Sequence, residues 1–134
     1  MLLGTPLWMA PELIRGVSAN TPESDVYSFD MVLYEVFSAK EPYEGEYHED
    51  IIRQIASKTV SKRPTIPRKC PREAASLMTA CWDGEPSLRP KASELDVRLK
   101  MMAANQLDAI NENKDDVDCN TMAKTGMREI LETT

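Results

Sequence analysis

Histidine and cysteine, the side chains most often used as zinc ligands and in catalytic dyads and triads, are scarce in this sequence. The one histidine is His48, and the three cysteines are Cys70, Cys81 and Cys119. An odd number of cysteines at wide spacings, with no C-x-x-C pair, builds neither a disulfide framework nor a zinc site. Reduced thiols are the plain reading, as in the cytosol or nucleus. A single histidine leaves little for a His-ligated metal or a Ser-His-Asp triad. The remaining ionisable residues, 22 acidic and 16 basic, offer charge pairing and hydrogen bonding. That chemistry depends on the elements that hold them.

Residues 1–22 carry Pro6, Pro11 and Pro22 with Gly4 and Gly16. They read as an irregular segment with one short helix around Pro11–Arg15, Pro11 being suited to a first helical turn. Residues 24–38 give the strongest helix. Ser24 reads as its N-cap, and Asp25 sits where the helix dipole favours an anion. Apolar residues from Val26 to Phe37 cover nearly its whole circumference, which predicts a helix buried on all sides. A turn with Pro42 and Gly45 precedes a helix starting near Glu46, with Ile51, Ile52 and Ile55 behind its acidic first turns. Residues 57–71 are basic and contain prolines, as a loop would. Arg72 to Trp82 reads as a helix. Pro90 is placed to open the next one, with Leu95, Leu99 and Met102 at i, i+4 and i+7. Those three face a core more naturally than a dimer seam. From residue 103 the sequence turns polar and acidic and reads as a tail, with Met127, Ile130 and Leu131 as a short terminal helix. No β-strand and no internal repeat is expected.

The chain has 134 residues, 42% hydrophobic and 28% charged. That suits one soluble domain, burying roughly 68% of its unfolded surface. With 16 basic and 22 acidic residues the net charge is −6. Such a balance gives no electrostatic reason to bind nucleic acid or an anionic membrane. Met1 to Pro6 has no basic n-region and no apolar run of signal-peptide length. The longest apolar stretch, Val26 to Phe37, is interrupted by Asp30 and Glu35 and is too short to cross a bilayer.

Three motifs in fixed order resemble the eukaryotic protein kinase family over about residues 2–102. Gly4-Thr5-Pro6-Leu7-Trp8-Met9-Ala10-Pro11-Glu12 is similar to the end of a kinase activation segment with its A-P-E triplet. Ser24-Asp25-Val26-Tyr27-Ser28-Phe29 is similar to the start of the family's buried helix F. Cys81-Trp82-Asp83-Gly84-Glu85-Pro86-Ser87-Leu88-Arg89-Pro90 matches the C-W-x-x-x-P-x-x-R-P pattern ahead of the last helix of the C-terminal lobe. The threonine at position 5 resembles the Ser/Thr-directed type. Together with the third motif it places the resemblance closest to the tyrosine-kinase-like Ser/Thr group. The resemblance implies a mainly α fold, the helical C-lobe portion of a parent domain that is α+β. It implies a partial kinase domain over residues 1–102 and a polar acidic tail over 103–134.

The resemblance also implies roles. Glu12 and Arg89 would form a buried structural ion pair, Arg being suited by its planar fork to hold a carboxylate with two hydrogen bonds. Without the motifs, the same two residues read as unrelated surface charges. Asp25 would anchor the backbone of a catalytic loop, or serve only as a helix-terminus charge. Thr5 and Pro6 would belong to the substrate-docking loop, or to a plain turn. Trp8 and Trp82 read as packing residues, with a stack of Trp8 on Arg89 as the alternative. Asp30 departs from the family, which usually has glycine there. A carboxylate on a buried helix is costly unless partnered.

Phosphoryl transfer needs phosphates, Mg²⁺ and nucleophile held in position. No G-x-G-x-x-G, H-R-D or D-F-G occurs here. In the family these motifs lie upstream of Thr5, so Met1 falls inside what resembles the activation segment. The expectation is a fragment of a cytoplasmic Ser/Thr protein kinase. The parent would use ATP and Mg²⁺ on a protein substrate; the chain alone would have no catalytic residue, metal or cofactor. A non-catalytic remnant or a pseudokinase acting as a protein-binding module is the alternative. Expressed alone, the chain is expected to be marginally stable or aggregation-prone. Its oligomeric state is left open.

Overall fold

The computed structural model describes the backbone of residues 6–118 and the side chains of residues 7–112. Among the described residues, those up to Asp96 form one compact unit and those from Val97 a second. All regular structure among the described residues is helical, as expected for a mainly α portion of a kinase lobe.

The first unit opens with a 3-10 turn, Pro6–Trp8, followed by α1, Pro11–Ile14. Pro11 stands at the head of α1, where its missing N–H costs nothing. Gly16, at φ +73°, ends α1 in a Schellman closure. Its N–H donates to the Leu13 carbonyl and that of Val17 to the Glu12 carbonyl, at 3.0 and 3.1 Å.

Helix α2, Pro22–Ser38, is the post of this unit. Its N-cap is Thr21 rather than Ser24. The Thr21 hydroxyl accepts from the Ser24 N–H at 3.1 Å, and the Ser24 hydroxyl accepts from the Thr21 N–H at 2.9 Å. This reciprocal box works because Pro22 takes the first helical position and moves the start two residues upstream. The helix ends at Ala39, in the left-handed region at φ 57°.

Tyr27, Asp30, Met31 and Tyr34 of α2 are buried, and the helix packs on α4 and the two 3-10 turns. Burial on all sides does not occur. Phe29 is 43% exposed, Val32 48% and Val36 71%. With exposed Asp25 they recur at i, i+4, i+7 and i+11, one stripe of the helix. The other elements of this unit leave that stripe uncovered.

Helix α3, His48–Ala56, buries Ile51 and Ile55 and packs on α1 and on the first 3-10 turn. Arg15 ties α1 to its far end, donating from Nη1 to the Ala56 carbonyl at 3.0 Å. Helix α4, Arg72–Cys81, buries Ala74, Leu77, Met78 and Cys81, a clean i, i+3, i+4, i+7 face. A second 3-10 turn, Pro86–Leu88, leads to Arg89.

Helix α5 runs Ala92–Asp118, starting two residues past Pro90. Its early turn in the first unit buries Leu95. In the second unit the helix continues well past residue 103, where a polar tail was expected. No glycine or proline interrupts residues 97–118, and Ala103, Ala104, Gln106 and Leu107 all favour a helix. Leu99 and Met102 are half-buried, while Val97, Met101, Leu107 and Ile110 are exposed. Cys119 and the segment with Met127, Ile130 and Leu131 lie outside the described residues. No described helix is long and apolar enough to cross a membrane.

Candidate functional site

Glu12 and Arg89 are 77 positions apart in the chain, and the fold brings them together. Glu12 is held by the single turn of α1 and Arg89 by the exit of the second 3-10 turn. Arg89 Nη1 donates to Glu12 Oε1 at 2.7 Å and Nη2 to Oε2 at 2.9 Å, a two-pronged pair. Two further donors are also used: Nε reaches the Asp83 carbonyl at 2.8 Å and Nη1 the Glu23 carbonyl at 3.0 Å. The Arg89 side chain is 0% exposed and that of Glu12 6%. One cation thus ties together α1, the start of α2 and the loop after α4. Burial alone would push the Glu12 carboxyl up, but hydrogen bonds and charge from Arg89 outweigh it and hold the carboxyl below its usual range.

The guanidinium of Arg89 lies over the ring of Tyr27, 5.1 Å from its centroid. That of Arg63 lies over the same ring at 5.3 Å. Arg63 is fixed in turn by bonds from Nε to the Trp82 carbonyl and from Nη1 to the Lys62 carbonyl, both 2.8 Å. Tyr27 is therefore the aromatic support of two cations, buried Arg89 and half-buried Arg63, a role stronger in a desolvated site than on a surface. Burial pushes its phenol up to about 12, against the opposing pull of Arg63 and Arg89. The phenol oxygen has no hydrogen-bond partner among the described residues. Nothing in the sequence pattern marks the Tyr27 and Arg63 contact.

Trp8 does not stack on Arg89. Its indole N–H donates to Glu35 Oε1 at 2.6 Å, and Ser28 Oγ donates to the Trp8 carbonyl at 2.7 Å. Both bonds fasten the first 3-10 turn to α2. Trp82 is buried as a packing residue.

Asp25 is exposed in the first turn of α2, and its carboxylate meets no partner among the described residues. Thr5 lies outside the described residues, and Pro6 opens the first 3-10 turn. Asp30, one turn from Tyr27, is fully buried, and neither carboxylate oxygen has a hydrogen-bond partner. Burial pushes its carboxyl up to about 8. Among the described residues no three of His, Cys, Asp and Glu come together as metal ligands would.

The family described as protein tyrosine and serine/threonine kinase matches residues 4–99. The chain belongs to this family. A protein named as a probable LIM domain-containing serine/threonine-protein kinase of Dictyostelium discoideum is 40% identical over 103 residues. The match takes in 77% of this kinase chain and 10% of that protein. The human receptor-interacting serine/threonine-protein kinase 1 is 39% identical over 107 residues, 78% of this chain and 16% of its own length. The Dictyostelium dual specificity protein kinase shkA is 41% identical over 88 residues, 65% and 16% of the two chains. This kinase chain therefore spans no more than about a sixth of the length of these curated relatives.

Proposed function

We propose that this chain is the substrate-docking and structural part of the C-lobe of a Ser/Thr protein kinase of the tyrosine-kinase-like group. The observation that carries the reading is the buried, two-pronged Glu12–Arg89 pair, which secures the A-P-E end of the activation segment to the base of the lobe. Thr5 and Pro6 precede it as the loop on which a protein substrate docks. The parent, a cytoplasmic enzyme, transfers the γ-phosphoryl of ATP with Mg²⁺ to protein hydroxyls. This chain's own residues do not fit that nucleotide or metal, since it has no Gly-rich loop, H-R-D or D-F-G. The exposed α2 stripe of Asp25, Phe29, Val32 and Val36 fits as the seat of the catalytic part of the domain. There Asp25 accepts hydrogen bonds from the catalytic loop and the three apolar residues leave water.

One observation favours a second reading. Asp30, buried and unpartnered where the family usually has glycine, is what a decayed, non-catalytic copy would carry. A single assay separates these readings. The 134-residue chain with Mg-ATP and a general protein substrate should transfer no phosphoryl group, whereas the complete parent should. Transfer by the chain alone would overturn the first reading. A parent that binds partners but transfers nothing would establish the second.

A further inference from the structure

We propose that the loop joining α3 to α4 is a docking surface for a short acidic segment of a partner protein. The chain is acidic overall, yet seven of its 16 basic residues fall between Arg53 and Arg72. No Asp or Glu occurs from Ile51 to Arg72, so the rest of the chain carries all 22 acidic residues against nine basic ones.

Three of the seven have structural work. Arg53 pairs with Asp50 on α3. Lys62 pairs with Glu46 at 2.9 Å. Arg63 is spent on the Trp82 and Lys62 carbonyls and the Tyr27 ring. The other four, Lys58, Arg68, Lys69 and Arg72, are exposed and have no ion pair among the described residues. Three of these stand within five positions on a constrained backbone. The turn Pro67–Cys70 is closed by the Cys70 N–H on the Pro67 carbonyl at 3.1 Å, and Pro71 leads directly into Arg72. Adjacent cations repel one another, and Arg72 stands in the first turn of α4, where the dipole disfavours positive charge. The fold gains nothing from this arrangement, whereas an anionic ligand does.

The size of the ligand follows from charge. An anionic bilayer or a nucleic acid spreads over more of the surface and faces the field of this chain, whose net charge is −6. A short peptide senses only charges within a Debye length, about 8–10 Å at physiological salt, and so sees the local patch. Membrane docking would also call for apolar side chains to insert, and the loop exposes one large one, Val60. Arg68 and Arg72 can each grip a carboxylate or phosphoryl group with two donors, so a phosphorylated residue is the strongest form of the ligand.

The test uses the full 134-residue chain and fluorescence anisotropy with three probes. These are a Glu-rich peptide carrying one phosphoserine, an uncharged peptide of the same length, and phosphatidylserine vesicles. The acidic peptide should bind, weakening steeply from about 50 to about 300 mM salt. R68Q/K69Q/R72Q should weaken it by roughly tenfold or more with the helical circular dichroism spectrum unchanged. K58Q alone should give a smaller loss, and K40Q, an exposed lysine outside the loop, none. Equal affinity of the wild type and the triple variant, binding confined to vesicles, or no binding of the acidic peptide would each overturn the proposal.

Discussion

Replacing Asp30 by asparagine isolates the cost of a charge buried without a partner. In the folded chain both oxygens of Asp30 are sealed off and unbonded, and its carboxyl titrates at about 8 against an ordinary 3.8. The folded state therefore holds a proton that the unfolded state releases. Stability contributed by the protonated acid is fully present below about pH 4, falls as pH rises, and levels off above about pH 8. At about 1.4 kcal/mol per pH unit, the whole gap corresponds to roughly 6 kcal/mol, an upper bound that relaxation and water entry reduce. Between about pH 5 and about pH 7 the expected loss is about 2–3 kcal/mol, a large part of the stability of an ordinary domain. Asp30→Asn keeps the shape and cannot ionise. Urea unfolding followed by circular dichroism, at several pH values in this window, should show the variant gaining on the wild type as pH rises. The lowered Glu12 carboxyl works in the opposite sense, but equally in both proteins, so it cancels in the difference. A stability difference that stays constant across the window would refute the reasoning.

Other expectations rest on single contacts. Arg89→Ala leaves Glu12 buried without its cation and should cost about 3–5 kcal/mol in thermal or urea unfolding. Arg89→Lys, which keeps the charge but loses the fork, should recover only part of that. Tyr27→Phe removes a hydroxyl that has no partner and keeps the ring under Arg63 and Arg89; it should be neutral or stabilising by up to about 1 kcal/mol, whereas Tyr27→Ala should cost about 3–5 kcal/mol. Thr21→Ala breaks the capping box of α2 and should cost about 0.5–2 kcal/mol in the same unfolding measurement. Val32→Lys with Val36→Lys should leave the midpoint nearly unchanged and lower aggregation measured by light scattering, because both positions already face water in this chain.

The helices α1, α3 and α4 were legible because their signals are local. Pro11 opens α1, Ile51 and Ile55 lie one turn apart on α3, and Leu77, Met78 and Cys81 share a face of α4. The Glu12–Arg89 pair was legible only through motif resemblance, since a separation of 77 positions leaves no periodic trace. Two readings of α2 failed for physical reasons. Ser24 and Thr21 are both good caps, and the choice was made by Pro22, which cannot sit deeper in a helix. The expectation of burial on all sides assumed that apolar side chains will be covered within the same chain; Phe29, Val32 and Val36 show one face that is not. The extent of α5 was underestimated because its residues beyond 103 are polar, and polarity is no bar to a helix without glycine or proline. The Tyr27 support for Arg63 and Arg89 was invisible, because a ring that carries two cations looks in sequence like any other core tyrosine.

The central claim is that this chain is the docking and structural part of a kinase domain whose catalytic motifs are encoded elsewhere in the same protein. The native transcript, read upstream of the codon for Met1, tests it most directly. The account predicts an open frame encoding an H-R-D loop and a D-F-G segment, in that order, ahead of Thr5. An in-frame stop codon there, with translation starting at Met1, would contradict it.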